Sequence, residues 1–286
     1  MADIKTVGVI GCGLMGAGIS QVAAMTGHRT RVLEVNREVL DRGLARIRKF
    51  LDDGVAKQKV TPEVRDAALA NLVPAASYAD LADCDLVVEA IIENLEEKRK
   101  VYAAIEAVVG EGTILCSNTS SLCITELAAA TTRPDRFAGL HFFNPVPLMK
   151  VVEVIRALTT TDDTYRKVAA FGQALGKQVV TAPDRPGFIV NRLLVPYMLD
   201  AVRAYENGLG SLEDIDNAMK LGCGHPMGPF TLLDFVGLDT TYYIANIMFD
   251  EYKEPQYAAP PLLKRMVLAG RLGRKSGRGF YDYAKA

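Results

Sequence analysis

Residues 6–16 read Thr6-Val7-Gly8-Val9-Ile10-Gly11-Cys12-Gly13-Leu14-Met15-Gly16. Thr6–Ile10 is rich in β-branched side chains, the composition of a buried strand. Glycines follow at once in G-x-G-x-x-G order. By itself that order marks only a turn. Between a strand and the helix-patterned Leu14–Met25 it acquires a physical meaning. Gly11 permits the tight turn, Gly13 lets backbone approach a pyrophosphate, and Gly16 lets the helix pack closely on the strand. The start of that helix, at Leu14 and Met15, offers N–H groups and a partial positive charge to phosphates. The next apolar run, Thr30–Val35, carries Glu34 18 residues past Gly16. A carboxylate there accepts hydrogen bonds from ribose hydroxyls and repels a 2′-phosphate, which favours NAD(H) over NADP(H). Arg31 and Arg37 lie nearby, so the preference is not absolute.

Outward from this unit the pattern repeats. Arg37 to about Lys57 reads as a charged amphipathic helix, Asp85–Ile91 as a strand, Leu95–Val109 as a helix and Thr113–Ser117 as a strand. Such βαβα alternation predicts a mostly parallel, doubly wound sheet of Rossmann type with helices on both faces. Arg136–His141, Met149–Ile155 and Gln178–Thr181 read as further strands, with a helix over Asp163–Leu175; their direction is left open. Ala182-Pro183-Asp184-Arg185-Pro186-Gly187 is a cluster of chain breakers suited to a domain boundary. Beyond it Phe188–Asn207 is a long helical pattern, helix starts recur at Ser211 and near Pro229, and strand signals stop. The expected architecture is an NAD-binding α/β domain over residues 1–184, then an all-helical domain for substrate and dimerisation over 185–286.

The 286 residues carry a net charge of −1, with 49 % hydrophobic and 23 % charged side chains. Two globular domains fit that length. A nucleic-acid partner would call for a basic excess that is missing. No apolar run reaches the ~18 residues that span a bilayer. Five cysteines without C-x-x-C spacing suggest neither a disulfide framework nor a metal site, and fit a reducing, cytoplasmic setting. The N-terminus enters a strand almost directly, with no leader pattern expected.

Of three histidines, His28 reads as an exposed turn residue and His225, in Gly224-His225-Pro226, as structural or functional. His141 ends a strand-like run and precedes Phe142-Phe143-Asn144-Pro145. Ligands of open α/β sheets bind beyond the carboxyl ends of strands, so an imidazole there is placed for acid/base work. Ser117–Ser121 occupies another strand end. Glu153, inside the apolar Val151–Ile155, either sits exposed on an edge or is buried with a partner, which His141 would supply. Residues 37–65 hold eight basic and five acidic side chains. Lys57 is a candidate contact for an anionic ligand, with a solvated helix face as the other reading. Lys264–Arg278 holds six basic residues and no acidic ones, and reads as a solvated or cleft-edge segment.

Several blocks together resemble the short-chain L-3-hydroxyacyl-CoA dehydrogenases, nearest their bacterial 3-hydroxybutyryl-CoA branch. They are Gly11–Gly16 with Gly18 and Gln21, Asp85–Asn94 (DLVVEAIIEN), Ser117–Ser121, His141–Met149 (HFFNPVPLM), Pro186–Arg192 (PGFIVNR), Gly224–Leu238 (GHPMGPFTLLDFVGL) and Lys275–Tyr281 (KSGRGFY). The resemblance covers the whole chain. It implies hydride transfer between NAD(H) and C3 of a short (3S)-3-hydroxyacyl-CoA, His141 as acid/base, Glu153 as its partner, and Ser120 and Asn191 on the substrate oxygen. It places cofactor contacts at Glu34, Glu93, Lys98 and Asn144, with Asn118 in the same strand-end loop. Glu34 stands where relatives commonly carry aspartate, a longer side chain with the same charge. It implies a homodimer formed through the helical domain. Three other readings stand beside it: a dehydrogenase of a free sugar acid of the gulonate type, a non-catalytic protein on the same fold such as a lens crystallin, and a regulatory NAD(H)-binding module.

Overall fold

A computed structural model describes residues 4–283. Residues 1–3 and 284–286, the outer ends of the two expected domains, lie outside the described residues. The chain divides into two compact units, Met1–Asp184 and Arg185–Ala286.

The first unit runs β1 (Thr6–Ile10), α1 (Leu14–Met25), β2 (Arg29–Leu33), α2 (Arg37–Ala56), α3 (Pro62–Asn71), β3 (Leu72–Ala75), β4 (Leu86–Glu89), α4 (Leu95–Glu106), β5 (Ile114–Ser117), α5 (Ile124–Ala129), β6 (Phe137–Phe142), β7 (Val151–Arg156), α6 (Asp162–Ala174) and β8 (Gln178–Pro183). The helices start where local chemistry tells them to. Asn36, Thr61, Asn94 and Thr161 each accept backbone N–H bonds at an N-terminus, and Pro62 occupies the first turn of α3. The α3–β3 pair went unassigned in the sequence, although Thr61-Pro62-Glu63 is a helix-start signal.

One eight-stranded sheet has the order β3-β2-β1-β4-β5-β6-β7-β8. Strands from β3 to β6 are parallel; β7 runs antiparallel to β6, and β8 parallel to β7. Pairing fixes which side chains share a face. Val7, Val9, Leu86, Val88, Ile114, Cys116, Ala138, Leu140, Val152 and Val154 line one face and bury Ile19 and Val22 of α1 and Val168 and Phe171 of α6. The register Ile10↔Glu89, Glu89↔Ser117, Ser117↔Gly139 and His141↔Glu153 places the chemically active side chains on the other face. Strand order reverses between β1 and β4, so the crevice beyond β1 and β4 is the switch point where ligands of such sheets bind.

His28 is not the exposed turn residue expected. It is 9 % exposed, with its ring edge-on to Phe171 at 5.2 Å and Nδ1 3.0 Å from Thr26 Oγ1. The helix-to-strand turn dips onto α6, and sequence spacing carries no sign of that packing.

In the second unit α7 (Val190–Glu206), α8 (Leu212–Asn217), α9 (Pro229–Val236), α10 (Leu238–Tyr252) and α11 (Pro261–Leu268) enclose their own core around Met198, Phe230, Leu233, Leu238 and Met248. Among the described residues its only β pairing is two isolated bridges near Arg278. Two buried carboxylates tie its last described stretch to its middle. Asp216 accepts from Phe230 N, Thr231 N and Thr231 Oγ1 at the start of α9. Asp234 accepts from Phe280 N, Tyr281 N and Tyr283 Oη, and Tyr281 Oη reaches back to Asp216. Burial pushes the Asp234 carboxyl above its ordinary value despite these donors. His225 is exposed, its Nδ1 3.3 Å from Tyr197 Oη.

Burial lowers the His28 imidazole below its ordinary 6.5, against a hydrogen bond to the Ala23 carbonyl that raises it. The folded protein therefore binds fewer protons than the unfolded chain in the window just below 6.5. Its contribution to stability is complete above that value and lost as pH falls toward the lowered one. Thermal unfolding followed between about pH 5.5 and 7.5 should show this slope in the wild type and a shallower one in His28→Gln. An equal slope in both proteins would assign it to other groups.

Candidate active site

The glycine turn is dictated by space. Gly11 has φ +94°, and a Cβ there would meet the Ala90 carbonyl. A Cβ on Gly16 would run into the carbonyl of Gly11. Gly13 is different: it is the N-cap of α1, has no side-chain cap bond, and nothing lies within 4 Å of where its Cβ would be. That open cradle over an uncapped helix start is the arrangement a pyrophosphate fits. Leu14, in the first turn, is 55 % exposed, and Met15 packs partly against the core. Glu34 Oε2 accepts from Cys12 N at 2.9 Å, which ties the end of β2 to the turn. Cys12 itself is buried, its thiol pushed up to about 11 by burial and the Glu34 charge, and so inert.

Near the carboxyl end of β6, His141 faces Glu153, in the middle of β7, across the antiparallel ladder. His141 Nδ1 lies 2.7 Å from Glu153 Oε2, with the residues 5 % and 0 % exposed. A carboxylate can only accept, so Nδ1–H is the donor in this bond. Glu153 is not on an edge, because β8 covers β7. The Phe143 ring lies 4.5 Å from the imidazole, centroid to centroid. Asn144 follows, exposed, before the cis Asn144–Pro145 bond.

The strand ends of β4 and β5 carry a second cluster. Glu89, fully buried, accepts from Lys98 Nζ (2.6 Å), Ile91 N (2.8 Å), Ser117 Oγ (2.8 Å) and Tyr102 Oη (3.0 Å). Lys98 is 1 % exposed and also lies 3.4 Å from Glu93 Oε2. Glu93 Oε1 in turn accepts from Thr119 Oγ1, Ser120 N, Ser121 N and Ser121 Oγ. Burial raises the Glu93 carboxyl, but the Lys98 charge and these hydrogen bonds outweigh it, and the net shift is downward. Asn118 Oδ1 accepts from Phe142 N at 3.0 Å, joining this loop to the strand that carries His141. The sequence pointed to Glu93, Lys98, Asn118 and Ser120 but missed Glu89 and Tyr102. A glutamate inside the apolar Leu86–Glu89 run was the signal that could have found it.

Lys57 is exposed and lines a cleft of about 600 Å³ formed by α1, the end of α2 and the segments 147–150 and 175–177. Lys59, Lys150 and Lys177 line it as well. Asn191 lies in the first turn of α7 in the second unit.

Residues 6–185 match the family model described as the NAD binding domain of 3-hydroxyacyl-CoA dehydrogenase, and residues 187–283 match that of its C-terminal domain. The chain belongs to the 3-hydroxyacyl-CoA dehydrogenase family. Its cofactor is NAD, which the open cradle at Gly13 fits. This dehydrogenase is 48 % identical to a 3-hydroxybutyryl-CoA dehydrogenase of Mycobacterium tuberculosis over 99 % of the chain and 100 % of that relative. It is 48 % identical to human mitochondrial hydroxyacyl-coenzyme A dehydrogenase over 98 % of the chain and 91 % of that protein. Among solved structures, (S)-3-hydroxybutyryl-CoA dehydrogenase PaaH1 from Ralstonia eutropha superposes with a TM-score of 0.95 at 44 % identity, covering 98 % of this chain and 99 % of that one. No helix among the described residues is long and apolar enough to cross a membrane.

Gly13→Ala should fold with a near wild-type Tm, since its Cβ enters open space. It should weaken NADH binding by about tenfold or more, because the methyl takes the pyrophosphate's place. Fluorescence titration with NADH measures this, and unchanged affinity would refute the cradle.

Proposed function

We propose that this dehydrogenase interconverts acetoacetyl-CoA and (3S)-3-hydroxybutyryl-CoA with NAD(H), by proton exchange at His141. The observation that carries the reading is the buried His141–Glu153 pair at 2.7 Å, on a sheet whose first turn is an open phosphate cradle. NAD supplies the site that accepts or returns the hydride. His141 Nε2 takes the hydroxyl proton during oxidation and returns one to the forming alkoxide during reduction. Glu153, buried and bonded to Nδ1, fixes the ring's orientation and stabilises the imidazolium that forms. Ser120, whose N–H is pinned by Glu93, orients the substrate oxygen; Asn191 is assigned to the same oxygen on the family resemblance. Gly11, Gly13, Leu14, Met15 and Gly16 hold the pyrophosphate, Glu34 the adenosine ribose, and Glu93, Lys98, Asn118 and Asn144 support the nicotinamide half.

The cleft at Lys57 suits the anionic end of coenzyme A. Exposed Lys57, Lys59 and Lys150 attract phosphate, while Val22, Met25, Phe50 and Val60 offer apolar walls to a pantetheine arm. This favours a CoA thioester over a free sugar acid, which would leave such a cleft without purpose. Residues 1–184 act as the NAD-binding domain and 185–286 as the substrate and dimerisation domain. Leu193, Leu209, Leu221 and Leu268 of the second unit are each more than 70 % exposed, a set of apolar side chains that a homodimer would cover. All five cysteines are free thiols, as a reducing cytoplasm keeps them, and we place the enzyme there.

The purified protein should oxidise NADH with acetoacetyl-CoA, prefer NADH to NADPH in kcat/KM, and be inert toward gulonate. Activity with gulonate alone would transfer the assignment to the sugar-acid branch. Folded His141→Gln should lose roughly 10²- to 10⁴-fold in kcat, and Glu153→Gln should fall in the same range. Near wild-type turnover in either variant would refute the proton-exchange role.

A further inference from the structure

Glu89 has no part in the chemistry outlined above, yet it is among the most heavily bonded side chains in the first unit. It is 0 % exposed and ends β4. Its Oε1 holds the Lys98 ammonium at 2.6 Å and the Ile91 N–H at 2.8 Å; its Oε2 holds Ser117 Oγ at 2.8 Å and Tyr102 Oη at 3.0 Å. Those four donors come from β5, from α4 and from the segment after β4. A buried carboxylate with four donors is fully satisfied and rigid, and its removal takes the nearest acceptor from each of them.

The bonds lead to two places. Through Lys98, which also lies 3.4 Å from Glu93 Oε2, Glu89 governs how strongly the ammonium draws on Glu93. Glu93 Oε1 grips the backbone N–H groups of Ser120 and Ser121. Through Ser117 Oγ, which also accepts from Thr119 N at 3.2 Å, Glu89 sets the start of the same loop. Both ends of the Ser117–Ser121 segment are thus referred to one buried charge. We propose that Glu89 is a positioning residue for the dehydrogenase reaction: it fixes Ser120 by holding Ser117 directly and by sharing Lys98 with Glu93.

The charges make the mechanism specific. Glu89, Glu93 and Lys98 together carry one net negative charge. With Glu89 neutral, Lys98 keeps Glu93 as its only carboxylate within the distances given above. The ammonium then draws Glu93 away from the amides of Ser120 and Ser121.

The inference rests on the reaction proposed above and is tested in the same assay, acetoacetyl-CoA reduction by NADH. Folded Glu89→Gln should lose about a hundredfold in kcat, the scale expected when a reacting contact is displaced by about 1 Å. Ser120→Ala should then cost far less in the Glu89→Gln background than in the wild type, because the hydroxyl is already misplaced. A role confined to folding would lower Tm but leave the cost of Ser120→Ala unaltered. Should Glu89→Gln fail to fold, Ser117→Ala carries the test: it removes one donor to Glu89, and should lower kcat about tenfold with the same non-additivity toward Ser120→Ala. Wild-type kcat in a folded Glu89→Gln or Ser117→Ala variant, or full additivity with Ser120→Ala, overturns the proposal. Absence of turnover by the wild-type protein would strike the reaction assignment instead, a result distinct from unaltered turnover in the variants.

Discussion

The antiparallel pairing of β6 with β7 is the constraint on which the candidate site depends. Up to β6 the sheet is wholly parallel, so the carboxyl end of each strand pairs with the carboxyl end of its neighbour. Reversing β7 puts Glu153, in the middle of its strand, directly opposite His141, near the end of its own. Opposed side chains in such a ladder have Cβ atoms about 4.5–5.5 Å apart, close enough for an imidazole and a carboxylate to bond without strain. A slip of one residue would send either group to the opposite face. The register is protected by packing. Leu140, Phe142, Val152 and Val154 are buried on one face, and on the other a Cβ on Gly139 would meet Ile155 and Ile124. The apolar core thus does the aligning, and the polar pair inherits its geometry.

The same logic runs across the sheet. Ile10, Glu89, Ser117 and Gly139 form one cross-strand row. Beyond that row the chain leaves each strand to make the glycine turn, the Glu93 loop, the Ser120 loop and the His141 end. An ionised glutamate in the row would be costly if unpaired. Here Lys98, Tyr102 and Ser117 surround it, and the desolvated charge becomes a fixed point for two loops that would otherwise wander. Tyr102, whose hydroxyl is held well above its ordinary pKa by burial and by the Glu89 charge, stays a donor at any physiological pH.

Much of this was written in the chain in readable form. The Gly11–Gly16 turn and α1 follow from glycine sterics and β-branched runs, and α1 spans Leu14–Met25 as expected. For Glu153 the sequence left two readings, an exposed edge or burial beside His141, and the 2.7 Å contact in the structure decides between them. Strand direction was not legible: Met149–Ile155 looks the same whichever way it runs, and only three-dimensional packing decides. His28 was misplaced for a related reason. Its burial comes from Phe171, 143 positions away, and no local period reports such a contact. The Glu89 network was overlooked because one acidic residue closing an apolar run resembles a strand's exposed end until four donors are seen around it.

Asp216 and Asp234 have a consequence of another kind. They hold Phe280, Tyr281 and Tyr283, so the last described stretch of the polypeptide is stitched into the middle of the helical unit. A ribosome must add 46 residues after Asp234, and 65 after Asp216, before these donors exist. Until then Asp234, destined for the interior, keeps its hydration, and the core around it closes only once the 280–283 segment has been made.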